Sequence, residues 1–182
     1  MKSPLKLLLV VCIATLVSLP QLSSAAISLT VDPGTKTLTF IGSDTGTSEN
    51  LANVFQVASW GFGASSGTNE SVDIAAAFAE SFNNSAVITV YDGNLEDGLL
   101  LVFSNSGDAS NSITSLTTNM TTVDYSGLSP TYLTILESFG SDTLTPVRGT
   151  SFSPIELTTI PEPGSTGLIC AGVALMASRR RR

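Results

Sequence analysis

The sequence predicts a mainly β protein: a single β-sandwich of about seven to nine strands with one short helix, flanked by an N-terminal secretory signal peptide and a C-terminal single membrane-anchor helix. Three observations lead there. Short runs alternate apolar and polar residues with period two, with Gly, Asn, Asp and Ser between them. One clear stretch, Val72 to Phe82, instead spaces its apolar residues four apart. At each end of the chain lies an apolar segment beside basic residues, unlike anything between. The 182 residues therefore divide into a signal peptide (1–26), an acidic β-rich passenger domain (27–159) and a terminal segment (160–182).

Taken in order, Lys2 and Lys6 precede an apolar run from Leu7 to Leu19, followed by Pro20 and the small residues Ser23, Ser24, Ala25 and Ala26. That is the plan of a secretory signal, and cleavage after Ala25 or Ala26 satisfies the small-residue rule. The run is short of the about 20 apolar residues a span needs. Cys12 follows Leu9, Val10 and Val11, without the small residues a lipidation site requires.

In the passenger, Ile27, Leu29 and Val31 alternate with Ser28 and Thr30, and Leu38 and Phe40 alternate with Thr37 and Thr39. Asp32-Pro33-Gly34-Thr35 between them has proline and glycine at the central turn positions, which predicts a hairpin. Val72 to Phe82 places Ile74, Phe78 and Phe82 on one helical face, with Ser71 as N-cap and Asn83-Asn84 as the stop. Ala86 to Tyr91 is rich in β-branched residues and predicts a strand. Asp92 to Gly98 turns the chain into Leu99 to Phe103, a buried strand. Ile113, Leu116, Met120 and Val123 have helical spacing among Ser and Thr, which leaves that stretch undecided. Tyr132 to Leu136 and Ile155 to Ile160 predict two further strands, with Phe139 to Phe152 a turn-rich connection.

Charge narrows the function. Between residues 27 and 160 stand fourteen acids and two bases, Lys36 and Arg148, a net charge near −12. Such a surface repels nucleic-acid phosphates, so no nucleic-acid partner is expected. Both cysteines, Cys12 and Cys170, lie in the end segments, so the passenger is exported without a disulfide and must rely on a packed core. About 135 residues suffice for one.

The chain has no histidine, which removes the commonest general base and most zinc and copper sites. Gly63-Ala64-Ser65-Ser66-Gly67 matches G-x-S-x-G in letters only, since a nucleophile elbow needs a helix after it and a histidine partner. Asp92, Asn94 and Glu96 have the 1, 3, 5 spacing of a calcium loop, but Asp97 stands where that loop has glycine and Phe103 where it has glutamate. A hairpin turn is the simpler reading, and calcium is the one cofactor the acidity leaves open. Trp60, near Phe55 and Phe62, is either a sugar-stacking platform or a core residue, the latter being commoner.

The terminal segment runs Pro161-Glu162-Pro163, then uncharged from Gly164 to Ser178, then Arg179, Arg180, Arg181 and Arg182. As a helix the fifteen uncharged residues span about 22 Å. That is short of a hydrocarbon core of about 30 Å, though arginines can snorkel to recover reach. The arginines hold their end cytoplasmic, and the prolines keep the other end extended and open to an enzyme. This order resembles the PEP-CTERM sorting signal: the Pro-Glu-Pro triplet, the hydrophobic stretch Leu168 to Ala177 and the basic end are all present. Cys170 and Gly172 make the apolar stretch less leucine-rich than in many relatives. The resemblance implies recognition and cutting by an exosortase, a membrane-embedded protease, transient residence at the inner membrane, and an association with exopolysaccharide production. It covers the tail alone and is silent on the passenger.

The expectation is thus an exported surface or extracellular-matrix protein, not an enzyme, which associates with polysaccharide or serves adhesion. The competing reading is a secreted polysaccharide hydrolase using two carboxylates; a third is a calcium-stabilised carbohydrate-binding module.

Overall fold

Strand alternation is realised first at Ile27–Asp32 (β1), where every odd residue is buried and every even one half-exposed. The computed structural model describes residues 27–63, 67–149 and 151–161; the expected signal peptide with Ala25 and Ala26, and the tail from Glu162 to Arg182 with the expected anchor helix, lie outside them. β1 turns through Pro33 into Thr37–Thr45 (β2), and the Asp32 carboxylate accepts the N–H groups of Gly34 and Thr35 across the turn. The expected first hairpin is therefore present, in the register Leu29 to Phe40.

The remaining strands are Glu49–Leu51 (β3), Phe55–Phe62 (β4), Thr68–Asp73 (β5), Ser85–Asp92 (β6), Gly98–Ser106 (β7), Ser115–Thr117 (β8), Thr122–Asp124 (β9), Ser141–Arg148 (β10) and Ile155–Thr159 (β11), with one α-helix, Pro130–Ser138 (α1). Eleven strands among the described residues exceed the expected number. They do not form two separate sheets but one curled sheet in the order β5-β6-β7-β4-β10-β11-β1-β2-β8, with β3 on β4 and β9 on β2. The strand that joins the halves is β10. Its first part, Ser141 to Leu144, pairs with β11, and its second, Thr145 to Arg148, pairs with β4. Pro146 sits at a register shift in the second part, where its missing N–H is tolerated.

Three expected elements are corrected. Val72 to Phe82 is not a helix. Val72 pairs with Ile88 in the sheet, Ser71 shares a hydrogen bond with Thr89, and only Ala75–Ala77 makes a 3₁₀ turn. The N–H groups of Ile74 and Ala79 donate to Ala86 and Thr117, so this backbone is engaged by neighbouring strands rather than by its own next turn. Ile74 and Phe78 are nonetheless buried. The four-residue spacing reported burial correctly and secondary structure wrongly.

Tyr132 to Leu136 is helical, not extended. Pro130 occupies the first turn, where its fixed φ suits a helix, and Tyr132, Ile135 and Leu136 fall on one buried face. Phe139 to Phe152, expected as a connection, contains β10. Its polar Ser-Asp-Thr-x-Thr run is exposed apart from Leu144 and half-buried Pro146, which hid the strand in the sequence. The undecided stretch around Ile113 resolves into β8 and β9, with Met120 exposed and at positive φ between them.

Inside the curl the aromatic rings form a chain. Phe152 packs on Trp60 at 5.2 Å between centroids, Trp60 on Phe103 at 5.8 Å, Phe103 on Phe78 at 4.8 Å and Phe78 on Phe40 at 5.1 Å. Tilted and edge-on contacts of this kind add about 0.5–1.5 kcal/mol each beyond their buried area. α1 lies against β6 and β1.

Candidate functional site

β11 brings the body to the segment that carries the sorting pattern. It runs parallel to β1 on one side and antiparallel to β10 on the other, so it is an internal strand with Ile155 and Leu157 fully buried. The pairing continues to its last residues: Thr159 N–H donates to the Gly140 carbonyl at 2.8 Å, and Ile160 N–H to the Val31 carbonyl at 2.9 Å. Pro161 has no N–H and cannot extend the ladder. Ile160 is 44% exposed and Pro161 is exposed. Of the expected sorting residues, Pro161 is thus placed at the surface immediately beyond the last rung. Glu162, Pro163 and Arg179 to Arg182 lie outside the described residues. Among the described residues no helix is long and apolar enough to cross a membrane.

Strand pairing fixes what surrounds this exit. Thr145 pairs with Gly61, Phe62 with Leu99, and Tyr91 with Gly98. The β1–β2 turn, the loop after β4 and the β6–β7 hairpin therefore stand at the same end of the sheet as Ile160. Ile27 begins β1 at the opposite end, about 17 Å away at ~3.3 Å per residue. Two contacts tie α1 to the exit end. Lys36 Nζ meets Glu137 Oε1 at 2.6 Å, and the Phe62 and Phe139 rings pack edge-on at 4.9 Å. The buried Tyr125 hydroxyl donates to Glu137 and lies 3.1 Å from the Asp32 carbonyl. Burial first, and the Glu137 charge second, push its phenol above the ordinary range, so it remains a neutral donor.

The other candidates can now be placed. Asp92, Asn94 and Glu96 are exposed on the hairpin between β6 and β7, around a fully exposed Leu95. Among the described residues no three His, Cys, Asp or Glu side chains gather as a group able to hold a metal. Ser65 of the G-x-S-x-G stretch, with Ala64 and Ser66, lies outside the described residues. Gly67 leads into the strand β5 rather than into the helix a nucleophile elbow requires. Trp60 is fully buried and its indole N–H donates to the Ser153 carbonyl at 2.8 Å, which makes it a core residue and not a sugar platform.

Two shallow grooves were not legible in the sequence, because each joins residues far apart in the chain. One, of about 250 Å³, is lined by Glu80, Phe82, Asn105 and Ser112 to Ser115. The other, of about 370 Å³, is lined by Glu70 and Asp124 together with Tyr125 and Leu128. Both carboxylates are already engaged: Glu70 accepts the Ser129 N–H at the start of α1, and Asp124 the Ser126 N–H. That Ser126 N–H first, and the Ser126 hydroxyl second, hold the Asp124 carboxyl below its ordinary value. Asp32 and Asp108 are lowered too, chiefly by the Thr35 and Ser110 hydroxyls.

No curated protein matches this chain, and no solved structure does. A profile of the PEP-CTERM protein-sorting motif matches residues 159–182, beginning on the last residue of β11, and this chain is thereby identified as one carrying a PEP-CTERM signal for sorting through the exosortase system.

Proposed function

We propose that the protein is exported, held for a time in the inner membrane by its C-terminal segment, freed by an exosortase-type protease, and left at the cell surface or in the extracellular matrix. There its body acts without catalysis, by association with exopolysaccharide. The observation that carries the sorting half is the match over 159–182 joined directly to the last strand of the β body. The polysaccharide half draws support from the groove at Phe82. The half-buried Phe82 ring, packed on Phe103 at 5.1 Å, stands there beside Asn105 and several hydroxyls, an apolar patch and polar partners of the kind a sugar uses.

The test is retention of the protein recovered from cells on the exopolysaccharide of the same cells, compared with Phe82→Ala. Retention that falls severalfold in the variant supports the reading. No retention of the unaltered protein on any matrix glycan or cell surface sinks the adhesion half and leaves the sorting half standing.

One observation speaks for the hydrolase reading: Glu70 and Asp124 share a groove. A glycosidase needs one carboxylic acid pushed upward to protonate the leaving group. Asp124 is pushed the other way and Glu70 is tied to the α1 backbone. Release of reducing sugar from a panel of polysaccharides, lost in Glu70→Gln and Asp124→Asn alike, would reverse this preference.

A further inference from the structure

We infer that the groove at Phe82 selects a polysaccharide that carries free, protonated amines: an amino-sugar polymer rather than a neutral or an acidic one. This rests on the polysaccharide reading above and adds to it the chemical class of the sugar.

Charge makes the first exclusion. Residues 27–161 hold two basic side chains, Lys36 and Arg148. Both are taken: Lys36 Nζ lies 2.6 Å from Glu137 Oε1, and Arg148 Nη1 lies 3.0 Å from Glu49 Oε1. A uronate or sulfate polymer would therefore meet a net charge near −12 and find no unpaired cation among the described residues. A cationic polymer is drawn in by the same field.

The groove decides between the amine-bearing sugar and the neutral one. Three of its side-chain donors are spent inside the protein. The Ser112 hydroxyl donates to the Ala109 carbonyl at 2.6 Å, the Asn105 amide to the Asn111 carbonyl at 3.1 Å, and the Ser115 hydroxyl to Glu80 at 3.4 Å. Acceptors remain. A carboxylate offers about four lone-pair sites, and Glu80 uses two, on the Ser115 hydroxyl and on the Thr117 N–H at 2.9 Å. Those bonds tie Glu80 to β8 and hold it in the groove that Phe82 also lines. A site with spent donors and open acceptors fits a ligand that donates. A protonated sugar amine brings N–H donors and a positive charge, suited to a charge-assisted hydrogen bond with Glu80 and to the face of the Phe82 ring. An N-acetylated sugar has lost the charge and brings a carbonyl acceptor instead.

The test is retention of the protein recovered from cells on immobilised glucosamine oligosaccharides with free amines. It is compared with the same oligosaccharides fully N-acetylated and with galacturonate oligosaccharides of equal length. Retention on the free-amine form is expected to exceed that on either other form by about tenfold, the weight of one charge-assisted hydrogen bond. Glu80→Gln keeps an acceptor for the Thr117 N–H, should melt with the wild type, and is expected to lose about the same factor. Asp142→Asn removes an equal charge from an exposed position on β10, outside the groove, and should leave retention nearly unchanged. Where Glu80→Gln fails to fold, Phe82→Ala against Asp142→Asn carries the same comparison.

Equal losses in the groove variant and in Asp142→Asn mean that the polymer reads overall charge alone, and reject the groove as its site. Equal retention on the free and acetylated forms, a preference for galacturonate, or no retention on all three rejects the amine class. The polysaccharide reading then stands or falls separately, on retention by the exopolysaccharide of the protein's own cells. Oligolysine held as strongly as the free-amine sugar assigns the groove to a basic peptide and overturns the inference.

Discussion

The body and the tail of this chain carry their information in opposite ways. The tail is a line: a Pro-Glu-Pro triplet, an apolar segment and four arginines, whose meaning lies in their order. The body is a set of encounters between residues far apart. Phe152 meets Trp60, Lys36 meets Glu137, and β1 lies beside β11 across more than a hundred residues of sequence. Between the two there is no spacer, since the last rung at Ile160 adjoins the proline that opens the tail. The contrast teaches that an address can be attached to a fold directly at its final strand.

Truncation breaks this comparison most severely. A chain ended after Pro161 should melt as the full chain does, because it keeps every core residue found among the described residues. One ended after Pro154 loses Ile155, Leu157 and the strand between β1 and β10. At about 2–5 kcal/mol per buried aliphatic residue that is most of the about 5–15 kcal/mol by which a domain of this size is stable. It should show no cooperative unfolding transition by circular dichroism. Equal melting of the two would mean that β11 is not part of the body.

Next in size, Trp60→Ala should cost about 3–5 kcal/mol in denaturant unfolding, through lost packing on Phe103 and Phe152 and an unpaired Ser153 carbonyl. The tail sequence being intact, its membrane retention should not change. Tyr125→Phe should cost about 1 kcal/mol, the usual net worth of one hydrogen bond, by leaving Glu137 with Lys36 alone at the exit end.

The smallest effect is a pH dependence. Asp124 has a folded pKa lowered from 3.8, so its contribution is complete above that value and is lost as pH falls through the folded pKa. The wild type should therefore exceed Asp124→Asn in stability at neutral pH, with the gap closing under acid. A gap that widens under acid would contradict the hydrogen bonding seen at Ser126.

How much of this was legible in the sequence differs by region for the same reason. The tail was legible because its meaning is linear. In the body, β1, β2, β6, β7 and β11 were legible because alternation and β-branched residues agree there with the final pairing. Val72 to Phe82 misled because a row of residues four apart can also fill a core from a strand end and a 3₁₀ turn, when neighbouring strands claim its N–H groups. Tyr132 to Leu136 misled because Thr and Ile favour strands, while Pro130 and the packing against β6 and β1 decide for a helix. The grooves were invisible for a simpler reason: Glu70 and Asp124, or Phe82 and Ser112, become neighbours only once the sheet has curled.

The central claim, that the tail is a removable address and the body complete without it, is tested most directly by fractionating cells that express the wild-type chain or a variant with Arg179 to Arg182 replaced by alanine. Wild-type protein should be found at the surface or in the medium, and the variant should stay in the inner membrane with a body that melts at the same temperature. A variant that reaches the surface in wild-type amount would show that the arginines, and the sorting they are taken to direct, have no part in where this protein goes.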